Sequence, residues 1–162
     1  MTSRALAVVV AALFAHACSS KHGPQRPLLD TAMRERLKAI ASTCEERSGQ
    51  PKVDHVLECV SEPGVATVGV FLLEDNRVVQ LWIELTEPTV DAAATKLGPA
   101  LAGFVDDRTR DTILATVRAT GPDPGYARAP ALGQGRDAVV YVQAREVGGF
   151  HVTLQLMFDI PL

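Results

Sequence analysis

The chain contains no C-x-x-C, H-E-x-x-H or G-x-S-x-G stretch and no Walker loop, so the short signatures of redox dithiols, zinc peptidases, serine hydrolases and P-loop nucleotide hydrolases are missing. It also has no concentrated block of basic residues. A protein that binds phosphate backbones needs a basic face, and here 19 acidic side chains outnumber 16 basic ones, which argues against nucleic acid. Arg34, Arg36 and Lys38 are interleaved with acids and read as a solvated helix face. Gly133-Gln-Gly135-Arg-Asp-Ala138 has the letters of a dinucleotide fingerprint. That motif must leave a strand and open a helix, whereas this one enters a strand, so no cofactor is implied.

Nor do the ionisable residues gather into an evident site. His22, His55 and His151 lie far apart in the chain and read as solvated or structural, with no metal set among them. Asp106, Asp107 and Asp111 form the densest carboxylate cluster, but they crowd an expected helix start, where negative charge complements the dipole.

The first residues carry a signal of another kind. Arg4 is followed by the apolar run Ala5-Leu-Ala-Val-Val-Val-Ala-Ala-Leu-Phe-Ala15, which is too short to span a bilayer and reads as a signal peptide over residues 1–17. Ala15-His16-Ala17-Cys18 resembles the lipobox of bacterial lipoprotein precursors, where a small residue precedes the cysteine that becomes lipidated and N-terminal after cleavage. Leu is usual where Ala15 stands, and His16 is atypical. Ala-His-Ala also satisfies the A-x-A rule, which would release a soluble secreted protein instead.

Assigning Cys18 to lipid leaves one pair, Cys44 and Cys59, for a disulfide in an oxidising compartment. The resemblance further implies, through Ser19, an anchor in the outer membrane facing the periplasm. Residues 18–27 would be the lipidated cysteine and a short tether, leaving 28–162 as one domain.

Within that domain the apolar spacing predicts an α+β fold: an antiparallel sheet of about five strands with helices on one face, in the order α-β-β-β-α-α-β-β. Helix one is expected over Asp30–Arg47, with Leu29, Met33, Leu37, Ile40 and Cys44 as its stripe, so that Cys44 staples helix to strand at Cys59. The next strand is expected over Val53–Val60. A two-residue Asp75-Asn76 turn would pair Leu72 with Val79, Val70 with Leu81, Val68 with Ile83 and Ala66 with Leu85. Two helices follow, the first kinked or broken at Gly98-Pro99, and residues 121–136 show no period. In the last hairpin a three-residue Val147-Gly148-Gly149 loop would pair Ala144 with Val152, Val142 with Leu154, Val140 with Leu156 and Ala138 with Phe158.

Both apolar faces must turn to the helices, which leaves an opposite face joining Phe71, Leu73, Val78 and Trp82 to Tyr141, Arg145, His151 and Gln155. Aromatics with arginine on a partly apolar surface are the composition of binding hot spots. Either this face is a binding surface, or the kinked helix or the 121–136 loop covers it as a second core. The expected role is a non-catalytic binding or adaptor lipoprotein of the envelope, anchored in the membrane by its lipid, with a protein partner and without cofactor or metal. The alternatives are an inhibitor or immunity-type protein acting on an enzyme through the 121–136 loop, and a hydrolase using His151 or the aspartates.

Overall fold

Asp30 opens helix α1 (Thr31–Lys38), its carboxylate accepting the Met33 N–H at 2.7 Å. The computed structural model of the protein describes residues 26–49, 51–62, 64–122, 125–129 and 136–158. Helix α1 buries Met33 and Leu37 and stops at Lys38, not at Arg47 as expected. Residues Thr43–Ser48 leave the helical path and form strand β1 instead, paired with β2 (His55–Val60). Helix propensity in Cys-Glu-Glu-Arg is a weak preference, and a cross-strand bond outweighs it. Cys44 and Cys59 face each other across the two strands and form a disulfide, with Cα atoms 4.0 Å apart. The staple therefore joins strand to strand and not helix to strand.

The sheet continues through β3 (Ala66–Leu72) and β4 (Val78–Glu87). Then come α2 (Val90–Leu101), α3 (Asp107–Ala119) and three strands, β5 (Tyr126–Arg128), β6 (Arg136–Ala144) and β7 (Phe150–Phe158). Among the described residues, seven strands form one antiparallel sheet in the order β1-β2-β3-β4-β7-β6-β5, with three helices. The chain order is thus α-β-β-β-β-α-α-β-β-β, which corrects the five-strand expectation. Of the two added strands, β1 was hidden in helical spacing. The other, β5, is only three residues long and lies in the proline- and glycine-rich 121–136 stretch, too short to show a period.

The first hairpin keeps the expected pairs Ala66 with Leu85, Val68 with Ile83 and Val70 with Leu81. Its end differs, because a bulge shifts the register between Phe71 and Leu72 and sets Leu72 against Val78. Val78 consequently turns into the core instead of joining the outer face. The turn is a three-residue loop, Glu74-Asp75-Asn76, in which the Asn76 N–H donates to the Leu73 carbonyl and the Leu73 N–H to the Arg77 carbonyl. Asn76 takes a φ of +60°, the left-handed closing residue such loops use.

The second hairpin closes in the same way. Gly148 donates to the Arg145 carbonyl and Arg145 to the Gly149 carbonyl, so the loop is Glu146-Val147-Gly148, one residue earlier than expected. Val142 then pairs with Val152, Val140 with Leu154, Ala138 with Leu156 and Ala144 with Phe150, two residues out of step with the expected register. A slip of two preserves the faces, since side chains alternate with period two. Val140, Val142, Val152, Leu154 and Leu156 are buried together, while Ala144, expected in the core, is exposed. A Cβ on Gly149 would meet the Glu87 carbonyl oxygen at 2.8 Å, so the hairpin base requires glycine there.

All three helices lie on the apolar side of the sheet in one core with its strands. Helix α2 runs through Gly98-Pro99 without breaking and ends two residues past the proline, burying Ala94, Leu97 and Leu101. Asp106 caps α3, accepting the Thr109 N–H at 2.8 Å, and Arg110 pairs with Asp107 and Asp111, so the aspartate cluster is spent on the helix start. Before α1, the Pro27 carbonyl accepts the Val78 N–H and Leu29 donates to the Asn76 carbonyl, each at 2.9 Å. The end of the expected tether is thus bound along the start of β4.

Removing a helix cap tests these local assignments. Asp30→Ala should lower stability by about 1 kcal/mol. An unchanged denaturation midpoint would show that the Asp30 to Met33 bond does not anchor α1.

Candidate binding face

Alternation along each strand decides which residues meet on the side away from the helices. From β3 and β4 come Thr67, Phe71, Gln80, Trp82, Glu84 and Thr86, all partly exposed, while their neighbours Val68, Val70, Leu81, Ile83 and Leu85 are buried. Strands β7 and β6 add His151, Thr153, Gln155, Tyr141 and Gln143 to the same side. The helix contacts to the sheet fall on β4, β5, β6 and β7 through the core. Of the 121–136 stretch, residues 126–128 extend the sheet as β5, and 123–124 and 130–135 lie outside the described residues. Among the described residues, then, no element lies across this face.

The structure brings most of the expected site residues together, though not all. Trp82 is directly opposite Gln155 on one side and Gly69 on the other, with Phe71 diagonal to it. A Cβ on Gly69 would sit 3.5 Å from the Phe71 ring and 3.6 Å from the Trp82 ring, so both rings rest over the glycine. Tyr141 pairs with Thr153, and His151 with Gln143. Arg145 stands apart at the base of the hairpin loop, exposed, where with Gln143, Glu146 and His151 it lines an open cavity of about 470 Å³.

Two further residues belong to this surface and were missed in the sequence. Tyr126 on β5 packs against Tyr141 with ring centroids 5.2 Å apart at 54°, and each residue is 44% exposed. Arg128 donates its Nε–H to the Tyr126 hydroxyl at 3.0 Å and lies 3.7 Å from Asp137. The Tyr126 hydroxyl, and then the Asp137 carboxylate, hold the guanidinium charge above its ordinary affinity for the proton. The alternation Tyr-x-Arg was the available signal, and three residues are too few to establish it.

Among the described residues, His151 is the histidine with side-chain partners on this face. Its Nδ1 lies 3.3 Å from the Thr86 hydroxyl and its Nε2 3.7 Å from Glu84. Hydroxyl, imidazole and carboxylate thus converge, as a hydrolase would require. Acyl transfer also needs preorganised donors for the developing oxyanion. Here the Thr86 N–H donates to the Val65 carbonyl at 2.8 Å, and β4 and β7 are interior strands joined by their ladder. The cluster links β4 to β7 through side chains as well as through the ladder. His55 sits on β2, separated from β7 by β3 and β4. No group of three or more His, Cys, Asp or Glu with metal-binding geometry occurs among the described residues.

The remaining expected features fall elsewhere. Lys38 pairs with Glu35 at 2.8 Å, Arg34 with Glu46 at 3.7 Å, and Arg36 donates to the Ala102 carbonyl at 2.9 Å, so the basic cluster of α1 is tied into its surroundings. In the glycine fingerprint, residues 133–135 lie outside the described residues, and Arg136–Ala138 begin strand β6. Cys18, His22 and the expected signal peptide also lie outside them. No described helix is long and apolar enough to cross a membrane. Comparison with protein families, with curated proteins and with solved structures finds no match to this chain.

Proposed function

We propose that the chain is an envelope lipoprotein, held by lipid on Cys18 at the outer membrane and facing the periplasm, with a non-catalytic binding or adaptor role. The observation that carries this reading is the helix-free outer face of the sheet, where Trp82, Phe71, Tyr141 and Tyr126 are all partly exposed on a surface that no described element covers. Soluble domains seldom leave such a row of rings in water without a partner. A disulfide between neighbouring strands fits an oxidising compartment. The first residues resemble a lipoprotein leader, and by that resemblance the partner, a protein in the simplest case, is met at the membrane surface.

Two measurements test the two halves of the reading. Labelled palmitate should enter the wild-type chain and not Cys18→Ser; equal labelling of both removes the anchor. For binding, Trp82→Ala should lose most of what the full-length protein captures from envelope extract, with a melting temperature within a few degrees of wild type. A large stability loss with capture intact would make the face a second core.

A further inference from the structure

The immediate surroundings of Trp82 narrow the chemistry of its ligand. Along β4 its same-face neighbours are Gln80 and Glu84, across β7 it meets Gln155, and Thr67 and Thr153 stand diagonally. The side chains of Gln80, Gln155, Thr67 and Thr153 make no hydrogen bond to another described residue, and all four are partly exposed. Glu84 has His151 at 3.7 Å. Phe71 and Met157 take the remaining diagonal positions, so the ring has apolar side chains at two corners and amide, hydroxyl and carboxylate groups, four of them uncommitted, at its other neighbouring positions.

A protein hot spot differs in that acidic residues are depleted and packed contacts exclude water from the central aromatic, whereas four uncommitted polar side chains and Glu84 stand beside this ring. It also does not suit a phosphate backbone. The face carries Glu45, Glu58, Glu84 and Asp137 against Arg47 and Arg128, and both arginines are already paired, Arg47 with Glu58 at 2.9 Å and Arg128 with Asp137 at 3.7 Å. A sugar matches the pattern. Its ring C–H groups are attracted to the electron-rich face of an aromatic ring, and its rim of hydroxyls needs donors and acceptors beside that ring.

The placement of the aromatics adds a length. Trp82 and Phe71 each bring a ring atom within van der Waals reach of a Cβ on Gly69, so the missing side chain leaves room for both rings on this face. Tyr141 lies two strands further on, beyond β7, and Tyr126 three. Two strand spacings together with a two-residue offset, since Tyr141 is level with Glu84, amount to roughly 12 Å, a span that a run of three or more linked sugar rings covers. We infer that the outer face binds a glycan of linked hexopyranose units, the strand of the cell wall. One ring stacks on Trp82, Gln80, Gln155 and Glu84 take its hydroxyls, and a further ring reaches Tyr141. This rests on the reading of the face as a binding surface and names its ligand class.

Trp82 is the only tryptophan in the chain, so its fluorescence reports on this site alone. The test uses the full chain purified in a detergent without a sugar headgroup, titrated with the β-1,4-linked tetramer of N-acetylglucosamine and mixed separately with purified cell-wall sacculi. Expected are a saturable change in emission and retention on the sacculi. Gln155→Ala and Tyr141→Ala should each weaken tetramer binding by about fivefold, the loss of a single contact worth about 1 kcal/mol. Trp82→Phe should stay on sacculi and Trp82→Ala should not, all with melting temperatures near wild type. Unmoved fluorescence and no retention would overturn the glycan. If in that case Trp82→Ala still abolished capture of an envelope protein, the face would be a protein interface and the binding reading would stand. If no binding of either kind depended on Trp82, both would fall.

Discussion

Ile83→Ala is expected to destabilise the protein by about 3–4 kcal/mol, and so to lower its melting temperature by roughly 10 °C or more. Ile83 is fully buried, level with Val68 on β3 and Leu154 on β7, at the centre of the apolar face. Truncating it removes transfer energy and leaves a cavity between strands that cannot close up. Its neighbour Trp82 points the other way, and its truncation should cost the ligand and not the fold. Thermal melts of the two variants side by side read the orientation of β4 directly. Ile83→Ala melting with wild type would mean that the two faces are exchanged.

Removal of the disulfide has the second largest expected effect, about 3 kcal/mol for a loop of this length in the chain-entropy model. The cysteines are 15 residues apart and close β1 onto β2. Strand β1 is at the sheet edge, and apart from the half-buried Cys44 its residues are all exposed. With so little apolar contact, β1 depends on its ladder and on this bond. In a Cys44→Ser, Cys59→Ala variant, amides of residues 43–48 should exchange much faster, while those of β4 and β7 keep their protection. Unaltered exchange in β1, or an unaltered melting temperature, would show that the ladder alone holds the edge.

Both expectations draw on features that the sequence shows unequally. The stripe Leu29, Met33, Leu37 was legible as a helix face, and it is one. Cys44 continued that spacing by coincidence, and the helix was carried nine residues too far. What ended it was a partner strand across the chain, which spacing along one segment cannot reveal. The bulge that turned Val78 inward is similar, because it follows from where the Glu74-Asp75-Asn76 loop closes and not from the pattern of apolar residues. Tyr126 and Arg128 join the candidate site only because β5 pairs with β6. Gln155 and Trp82 could be placed on one face in advance, since parity was enough; that they are directly opposite needed β4 beside β7.

By itself, then, the sequence determined the two apolar hairpin faces, the helix starts at Asp30 and at the Asp106-Asp107 pair, and the pairing of Cys44 with Cys59. Each of these depends on local chemistry or on a count: side-chain parity, a capping oxygen, the number of thiols. The tertiary structure decided the seven-strand order, the hairpin registers, the strand nature of residues 43–48 and 126–128, and which polar groups stand around Trp82. Those depend on which backbone ladder meets which, and a ladder is a contact between segments far apart in the chain. A register slip of two leaves the local pattern unchanged, so only the packed partner strands and the closing hydrogen bonds of the turn can choose between the alternatives.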